Sequence, residues 1–343
     1  MSEWPVAEAY DRPMKRRLVS IPGLFLVAVL LIGLLPVWLP LSVLYDLARG
    51  RRRLPVARLL GFALLWSITE SIGVKLSAWW WITGRAKQLP RHFALQRWWA
   101  GRLMAALRVT CGVRVAVENA EVLRPGPTVL LARHASLADS LVSAYAVTSE
   151  ARLNPRYVLK RELLAEPCLD VVGNRLPNHF LDRGATDSGP ELAALSALTA
   201  PMGADDIGVI FPEGTRANPD KRARAIEKIG TVDPARAERL RGLEHLLPPR
   251  PAGAIAMLRG CPAADVLLAW HVGFEGLDTF GGILRAVAKP IRPVRFVLRR
   301  IPRGDVPSVD GDDTSAFVAW LDEQWLRMDR EVAVALSEGS SHG

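Results

Sequence analysis

A histidine and an aspartate five residues apart, His134 and Asp139, have the types and spacing suited to acid–base chemistry. The apolar run at residues 128–132 is typical of a strand buried on both faces, and it ends just before the histidine. A helix predicted to begin at Asp139 can fold the carboxylate back onto the ring. If Asp139 accepts a hydrogen bond from Nδ1–H, Nε2 is left as a general base for an alcohol. Taken alone, the pair is also compatible with a structural histidine.

The segment 211–216, Phe-Pro-Glu-Gly-Thr-Arg, is a second candidate and ends an apolar run at residues 208–211. Gly214 permits a tight turn that exposes backbone N–H groups beside Arg216, whose guanidinium can bind a phosphate in bidentate fashion. These groups are also candidate oxyanion donors, a role that we leave unassigned. Alternatively, the segment is a turn that ends a strand, with Arg216 and Glu213 on the surface. Within a binding loop, Glu213 either contacts an acceptor hydroxyl or braces the loop.

Together the two segments resemble the HxxxxD and FPEGTR motifs of the glycerolipid acyltransferase family, in the same order and roughly eighty residues apart. The resemblance extends over residues 105–330 and implies a central mixed sheet covered by helices, a thioester donor and acyl transfer. It implies that His134 and Asp139 are catalytic. The residues that it assigns to substrate binding are Glu213, Gly214, Thr215 and Arg216.

Weaker signatures of the same family lie between the two motifs. Residues 160–163, Lys-Arg-Glu-Leu, and residues 179–183, His-Phe-Leu-Asp-Arg, resemble blocks that imply a role for Lys160 and Arg183 in binding glycerol phosphate. The sequence departs from the family pattern at Arg133, where asparagine often precedes the histidine. It also departs at residues 266–275, which lack a typical proline.

The resemblance implies transfer of a fatty acyl group from acyl-CoA or acyl carrier protein to the free hydroxyl of a lysophospholipid. The acceptor that we expect is 1-acyl-sn-glycerol-3-phosphate, which would give phosphatidic acid. Residues 246–253 and 317–321 also resemble the branch that contains lysophosphatidylinositol and lysocardiolipin acyltransferases, so those acceptors stay open. A non-catalytic lipid-binding membrane protein is a further alternative. No metal, and no cofactor other than the donor thioester, is expected.

Two other classes of function fit the sequence poorly. Ser136 would complete a Ser-His-Asp hydrolase triad, but it has no GxSxG elbow around it and stands only two residues from its histidine. The net charge of +9 attracts phosphate-bearing partners of any kind. No zinc finger, helix-turn-helix or aromatic RNA-binding motif accompanies it, so we expect lipid and CoA phosphates as partners and no nucleic acid.

The elements that must position these residues alternate along the chain. Short β-rich runs separated by helical ones predict an α/β fold with helices over a sheet. The seven runs are residues 113–117, 128–132, 157–159, 180–181, 208–211, 266–270 and 295–298. A charged helical insertion is expected at 217–247, and the apolar spacing of residues 314–336 predicts an amphipathic helix.

The amino-terminal third has the composition of a membrane anchor. Residues 18–45 carry no charge and are long enough for a helix to cross a bilayer, although Pro36 and Pro40 make a re-entrant hairpin equally plausible. A second apolar stretch at 59–74 contains Glu70 and precedes a tryptophan cluster, which suits the headgroup interface. We therefore expect a protein bound to a membrane, on the cytoplasmic face of the inner membrane if it is bacterial.

These observations predict three regions. Residues 1–100 form the helical anchor, residues 105–330 the catalytic domain and residues 331–343 a tail. Cys111, Cys168 and Cys261 are scattered and lack CxxC spacing, which suggests neither a disulfide framework nor a zinc site and favours a reducing compartment.

Overall fold

The computed structural model describes residues 13–136, 139–182, 188–275, 277 and 280–340. Its helices are α1 (Pro13–Gly33), α2 (Leu35–Ala48), α3 (Pro55–Ile82), α4 (Leu89–Ala106), α5 (Asp139–Ala144), α6 (Pro167–Val171), α7 (Gly189–Thr199), α8 (Pro219–Gly230), α9 (Pro234–Leu240), α10 (Pro251–Gly260), α11 (Phe280–Val287) and α12 (Ser315–Ser340). Its strands are β1 (Val115–Glu118), β2 (Thr128–Ala132), β3 (Asn154–Lys160), β4 (His179–Leu181), β5 (Asp206–Ile210), β6 (Asp265–Val272) and β7 (Val294–Ile301).

The strands form one mixed sheet in the order β1-β7-β6-β2-β5-β3-β4. Strands β6, β2, β5 and β3 run parallel to one another, whereas β7 is antiparallel to β6 and pairs in parallel with β1. All five residues of β2 are buried, because a central parallel strand is covered on both faces. The predicted α/β fold with a mixed central sheet is confirmed.

Each predicted β-rich run corresponds to a strand, and the run at residues 128–132 has the same limits as β2. The other strands differ from the prediction by a few residues at their ends, where the sequence signal is weakest. A helix begins at Asp139, the charged insertion contains α8 and α9, and the carboxyl-terminal helix is α12.

Three strand ends converge because β2 is hydrogen-bonded to β5 on one side and to β6 on the other. Leu131 of β2 is in register with Ile210 of β5, and Ala132 is in register with Ala269 of β6. All three strands run in the same direction, so their carboxyl ends lie at one edge of the sheet. At that edge meet the segment after Ala132, the segment after Ile210 and the last residues of β6.

The chain divides into two compact units. The first comprises Met1–Arg114, Leu159–Ala185 and Gly276–Arg292, and the second comprises Val115–Val158, Thr186–Glu275 and Pro293–Gly343. The first unit therefore contains segments from beyond the amino-terminal third. The boundaries predicted from the sequence remain a prediction.

Within the first unit, α1 and α3 are long and apolar enough to cross a membrane, judged by length and composition alone. In α1 the buried residues are Leu24 and Ala28, so most of its apolar side chains are exposed. The uncharged stretch at 18–45 is not one helix, because α1 ends at Gly33 and α2 begins at Leu35. Proline at the start of α2 lacks the N–H that would continue the hydrogen-bond ladder.

Arg16 and Arg17, at the start of α1, hold this helix to α6. Both guanidinium groups donate hydrogen bonds to the buried carboxylate of Asp170, at 2.7–3.1 Å. The basic residues in the first turns of this apolar helix are thus partners of a buried acid inside the first unit. A buried carboxylate needs such partners to offset its lost hydration.

In the second unit, Asp329 of α12 fixes the segment that follows α9. Its buried carboxylate accepts hydrogen bonds from the backbone N–H groups of Glu244, His245 and Leu246, at 2.7–2.9 Å. Three backbone donors on one carboxylate form a strong local anchor.

Replacing Asp329 with alanine would leave three backbone N–H groups without their acceptor. Hydrogen bonds to charged groups contribute about 1.5–3 kcal/mol each, so we expect a marked decrease in the thermal unfolding midpoint. Glu323→Ala, at an exposed position of the same helix, is the matched control and should leave the midpoint nearly unchanged. Equal midpoints for the two variants would refute the anchoring role of Asp329.

Candidate active site

His134 lies in the loop after β2, and Asp139 is the first residue of α5. Nδ1 of the histidine is 2.8 Å from Oδ2 of the aspartate. The imidazole is 11% exposed and the carboxylate 1% exposed, so solvent reaches the ring but hardly the acid. With the proton of Nδ1 directed at Asp139, Nε2 is the nitrogen that can accept a proton.

The turn between the two residues is folded around the carboxylate of Asp139. The backbone N–H groups of Ala135 and Ser136 donate to it at 2.6–3.0 Å, and the Ser136 hydroxyl donates to Oδ1. Burial raises the pKa of Asp139, but the hydrogen bonds of His134 and Ser136 and the neighbouring His271 ring together hold it well below its usual range. The aspartate is therefore ionised at neutral pH.

The geometry of Ser136 argues against a hydrolase triad. In a triad the serine hydroxyl donates to the histidine, and the aspartate contacts only the other side of the ring. Here the Ser136 hydroxyl donates to Asp139. Its contact is with the acid of the pair, as expected of a residue that stabilises the turn.

A second imidazole faces Asp139, and the sequence analysis missed it. His271, near the end of β6, is 2% exposed, and its Nε2 lies 2.8 Å from Oδ1 of the aspartate. The predicted strand ended at residue 270, one residue short of this histidine, whereas β6 continues to Val272. The parallel pairing of β2 with β6 was the missing signal, since it places both histidines at one edge.

Arg133 ties the ends of these two strands together. Its backbone N–H donates to the carbonyl of Ala269 at 2.8 Å, and its Nη1 donates to the carbonyl of His271 at 2.6 Å. The side chain is buried. The arginine that departs from the family pattern thus holds the backbone on which the second imidazole stands.

Glu213 is a brace rather than a surface acid. It is 2% exposed, and its Oε1 and Oε2 accept the backbone N–H groups of His134 at 2.8 Å and Leu247 at 3.0 Å. Burial raises the pKa of Glu213 to about 8, although these two hydrogen bonds and the charge of Arg133 oppose the rise. Of the two roles that the sequence left open, the geometry matches the bracing one.

The segment 211–216 turns at Gly214, whose φ of +69° is favourable for glycine. Its N–H donates to the carbonyl of Phe211 at 2.9 Å, so this hydrogen bond closes the turn. The ring of Phe211 lies 5.2 Å from the imidazole of His134, measured between centroids. Ala217 N–H donates to the carbonyl of His134 at 3.0 Å, which brings the loop and the histidine together as expected.

Two cationic side chains, Arg216 and Lys221, lie at the end of this turn. Nη1 of Arg216 is buried and has no hydrogen-bond partner among the residues that the structure describes. Lys221, in the first turn of α8, donates from Nζ to the Thr215 hydroxyl at 3.2 Å and the Arg216 carbonyl at 3.4 Å. Sequence reasoning did not identify Lys221, which it grouped with the charged insertion.

The structure does not test the two remaining predicted binding residues. Lys160 is the last residue of β3 and belongs to the first unit. Arg183 lies outside the described residues. Their roles in binding glycerol phosphate stay predictions. In the described part of the chain, no group of three or more His, Cys, Asp or Glu side chains could hold a metal ion.

The arrangement suits proton removal from a hydroxyl beside an anionic group. An imidazole with an ionised partner provides the base, and a guanidinium with an unpartnered N–H provides a site for an anion. The loop that contacts the backbone of the histidine also carries Arg216.

Comparison with known proteins agrees with this chemistry. Residues 114–262 match the family model described as Acyltransferase. A comparison with curated proteins finds no match. Among solved structures, the chain is similar to the 1-acyl-sn-glycerophosphate (LPA) acyltransferase, PlsC, from Thermotoga maritima. The identity is 15%, the match covers 94% of this chain and 98% of that chain, and the TM-score is 0.43. The segment that matches the Acyltransferase model, residues 114–262, contains His134, Asp139 and the loop at 211–216.

Proposed function

We propose that this protein transfers a fatty acyl group from an acyl thioester to the free hydroxyl of a lysophospholipid. The acceptor that we propose is 1-acyl-sn-glycerol-3-phosphate, and the product is then phosphatidic acid. The observation that carries the proposal is the contact of the His134–Asp139 pair with the loop that presents Arg216. A general base and an anion site held by one loop match an acceptor that has a hydroxyl and a phosphate.

In the proposed reaction, Nε2 of His134 accepts the proton of the acceptor hydroxyl while its oxygen attacks the thioester carbonyl. The carbon–oxygen bond forms, the carbon–sulfur bond breaks, and the leaving thiolate takes the proton from the imidazolium. Asp139 stabilises that imidazolium through Nδ1 and keeps the ring oriented. No covalent acyl-enzyme is required.

Phosphate recognition is assigned to Arg216, with Lys221 beside it. A buried guanidinium nitrogen without a partner carries a desolvation cost, which a bound phosphate oxygen would offset. Lys221, at the start of α8, adds a second positive charge beside the loop through its contact with Thr215. The chain's net charge of +9 favours anionic substrates, which include a CoA thioester as well as a lysophospholipid.

The apolar helices α1 and α3 support, weakly, an enzyme held at a membrane. A lysophospholipid resides in the bilayer, so an anchored enzyme meets it there. We propose the cytoplasmic face, where CoA and acyl carrier protein thioesters are made. The acceptor headgroup and the donor are the finer parts of the proposal, and an assay with several lysophospholipids and both donors tests them.

Removal of the proposed base should abolish turnover. We expect His134→Ala and Asp139→Asn each to lower the rate of acyl transfer at least about 100-fold, with expression and membrane association unchanged. The measurement is transfer of labelled acyl chains in purified membranes. Ser140→Ala, on the same helix, is the control. Turnover of His134→Ala at the wild-type rate would remove the proposed mechanism.

Loss of the anion site should weaken acceptor binding. We expect Arg216→Ala to raise the acceptor's KM about tenfold or more and to change kcat less, because the phosphate is bound equally in the ground and transition states. Arg224→Ala, an exposed arginine on α8, should leave both constants unchanged. A loss confined to kcat would instead assign Arg216 to transition-state stabilisation.

The buried Glu213 should make stability depend on pH. Because its pKa is raised to about 8 from 4.5, the folded state binds the proton more tightly than the unfolded state between these values. Folding stability therefore falls as pH rises through this range. Glu213→Gln cannot titrate, so its thermal midpoint should fall less steeply between about pH 5 and pH 8. Parallel midpoint curves for the two proteins would show that Glu213 is ionised throughout.

A further inference from the structure

His271 is a buried imidazole to which the mechanism above gives no role. Its ring is enclosed in the second unit, with Phe274 packed edge-on at 5.6 Å between centroids. Nε2 stands 2.8 Å from Oδ1 of Asp139, yet neither ring nitrogen makes a well-directed hydrogen bond among the described residues. A buried polar ring without such bonds is costly, so its location beside a catalytic carboxylate calls for a function.

We propose that His271 is a positioning residue, whose Nε2–H holds Oδ1 of Asp139 so that Oδ2 stays directed at Nδ1 of His134. This inference rests on the proposed acyl transfer. His271 touches neither substrate in the mechanism. It acts through Asp139, and the tests below are chosen accordingly.

The distribution of donors around the carboxylate supports this role. Oδ2 receives Nδ1 of His134 and the N–H groups of Ala135 and Ser136. Oδ1 receives the hydroxyl and N–H of Ser136, and His271 is the one further ring that approaches it among the described residues. Without His271, the donors that the structure shows at Oδ1 both come from Ser136, in the turn itself. The second imidazole instead stands on a strand of the sheet.

The strand pairing makes that position rigid. Strand β6 pairs with β2 up to Ala269 and with β7 at His271, whose register partner is Phe296. Arg133 donates to the His271 carbonyl at 2.6 Å. A small rotation of the ring about its side-chain bonds directs Nε2–H onto Oδ1, and catalytic hydrogen bonds often tighten in this way when substrate binds. The carboxylate is thereby fixed between two strand ends.

The charge of Asp139 links His271 to the pH dependence of the reaction. The titratable or charged groups around this carboxylate are His134, His271, Arg133 and Glu213. A donor at Oδ1 withdraws negative charge from Asp139, so the carboxylate stabilises a protonated His134 less strongly. If His271 is removed, protonated His134 should persist to higher pH. The low-pH side of the activity-against-pH curve (its acid limb) should then shift to higher pH.

The experiment compares three variants of the full-length protein in membranes. His271→Phe removes the donor and keeps a ring, His271→Gln restores an N–H near the position of Nε2, and Phe274→Leu alters the packing of the ring alone. We expect His271→Phe to lower kcat roughly tenfold, with the acceptor's KM unchanged and the acid limb at higher pH. His271→Gln should recover most of kcat, and Phe274→Leu should keep the wild-type pH profile.

Two results would overturn the proposal. One is a His271→Gln variant as impaired as His271→Phe, which would point to packing or to a charged ring. The other is a decrease in kcat without any movement of the acid limb. Thermal midpoints of all three variants identify a loss that comes only from misfolding. If His271→Phe does not fold, the comparison of His271→Gln with Phe274→Leu still decides the role.

A second readout needs no enzymatic activity. The rate at which diethyl pyrocarbonate modifies His134, followed by mass spectrometry across pH, reports the unprotonated ring directly. We expect the midpoint of this curve to be higher in His271→Phe than in the wild type. A shifted curve in a protein that acylates none of the lysophospholipids tested would support the positioning role while refuting the proposed function. An unshifted curve would refute the positioning role alone.

Discussion

An ionised carboxylate buried in a protein loses its water and is stable only where donors replace that water. Asp139 meets this requirement with the backbone of its own turn, a serine hydroxyl and the ring of His134, and the ring of His271 stands close by. The turn at residues 134–136 and the start of α5 have the conformation that supplies these donors to the carboxylate. A single charge thus determines the local backbone, the orientation of the base and the tautomer of its ring.

The pairing of the sheet strands brings His134, His271 and the loop at 211–216 together. Residues that follow β2 and β5 and a residue near the end of β6 are far apart in the chain, but the parallel pairing of the three strands aligns their carboxyl ends. Arg133 and Glu213 then join the three segments through backbone atoms, not through the substrate. The site is therefore preorganised by contacts that do not depend on ligand.

The sequence predicted what depends on local chemistry. The β-rich runs, the helix that begins at Asp139 and the turn at Gly214 are local signals, and each corresponds to an observed element. The partners of His271, Glu213 and Lys221 depend on strand order and on side-chain burial. Neither is encoded in nearby residues, so the second imidazole was missed and the role of Glu213 was left open. In the uncharged stretch at 18–45, Pro36 and Pro40 indicated an interruption, but the composition did not give the helix ends at Gly33 and Leu35.

The loop at 211–216 and the residue that follows it contact the backbone of His134 at two points. Glu213 accepts the N–H of His134, and Ala217 donates to the carbonyl of the same residue, so the loop holds the backbone of the histidine on both sides. Arg216 stands between these two attachment points, with Gly214 permitting the reversal. The backbone of this loop and the backbone of His134 are therefore held in a fixed relation. Since misplacement by about 1 Å can cost roughly 100-fold in rate, this double attachment is the physical reason why a buried acid in this loop matters to the histidine, whose backbone it holds.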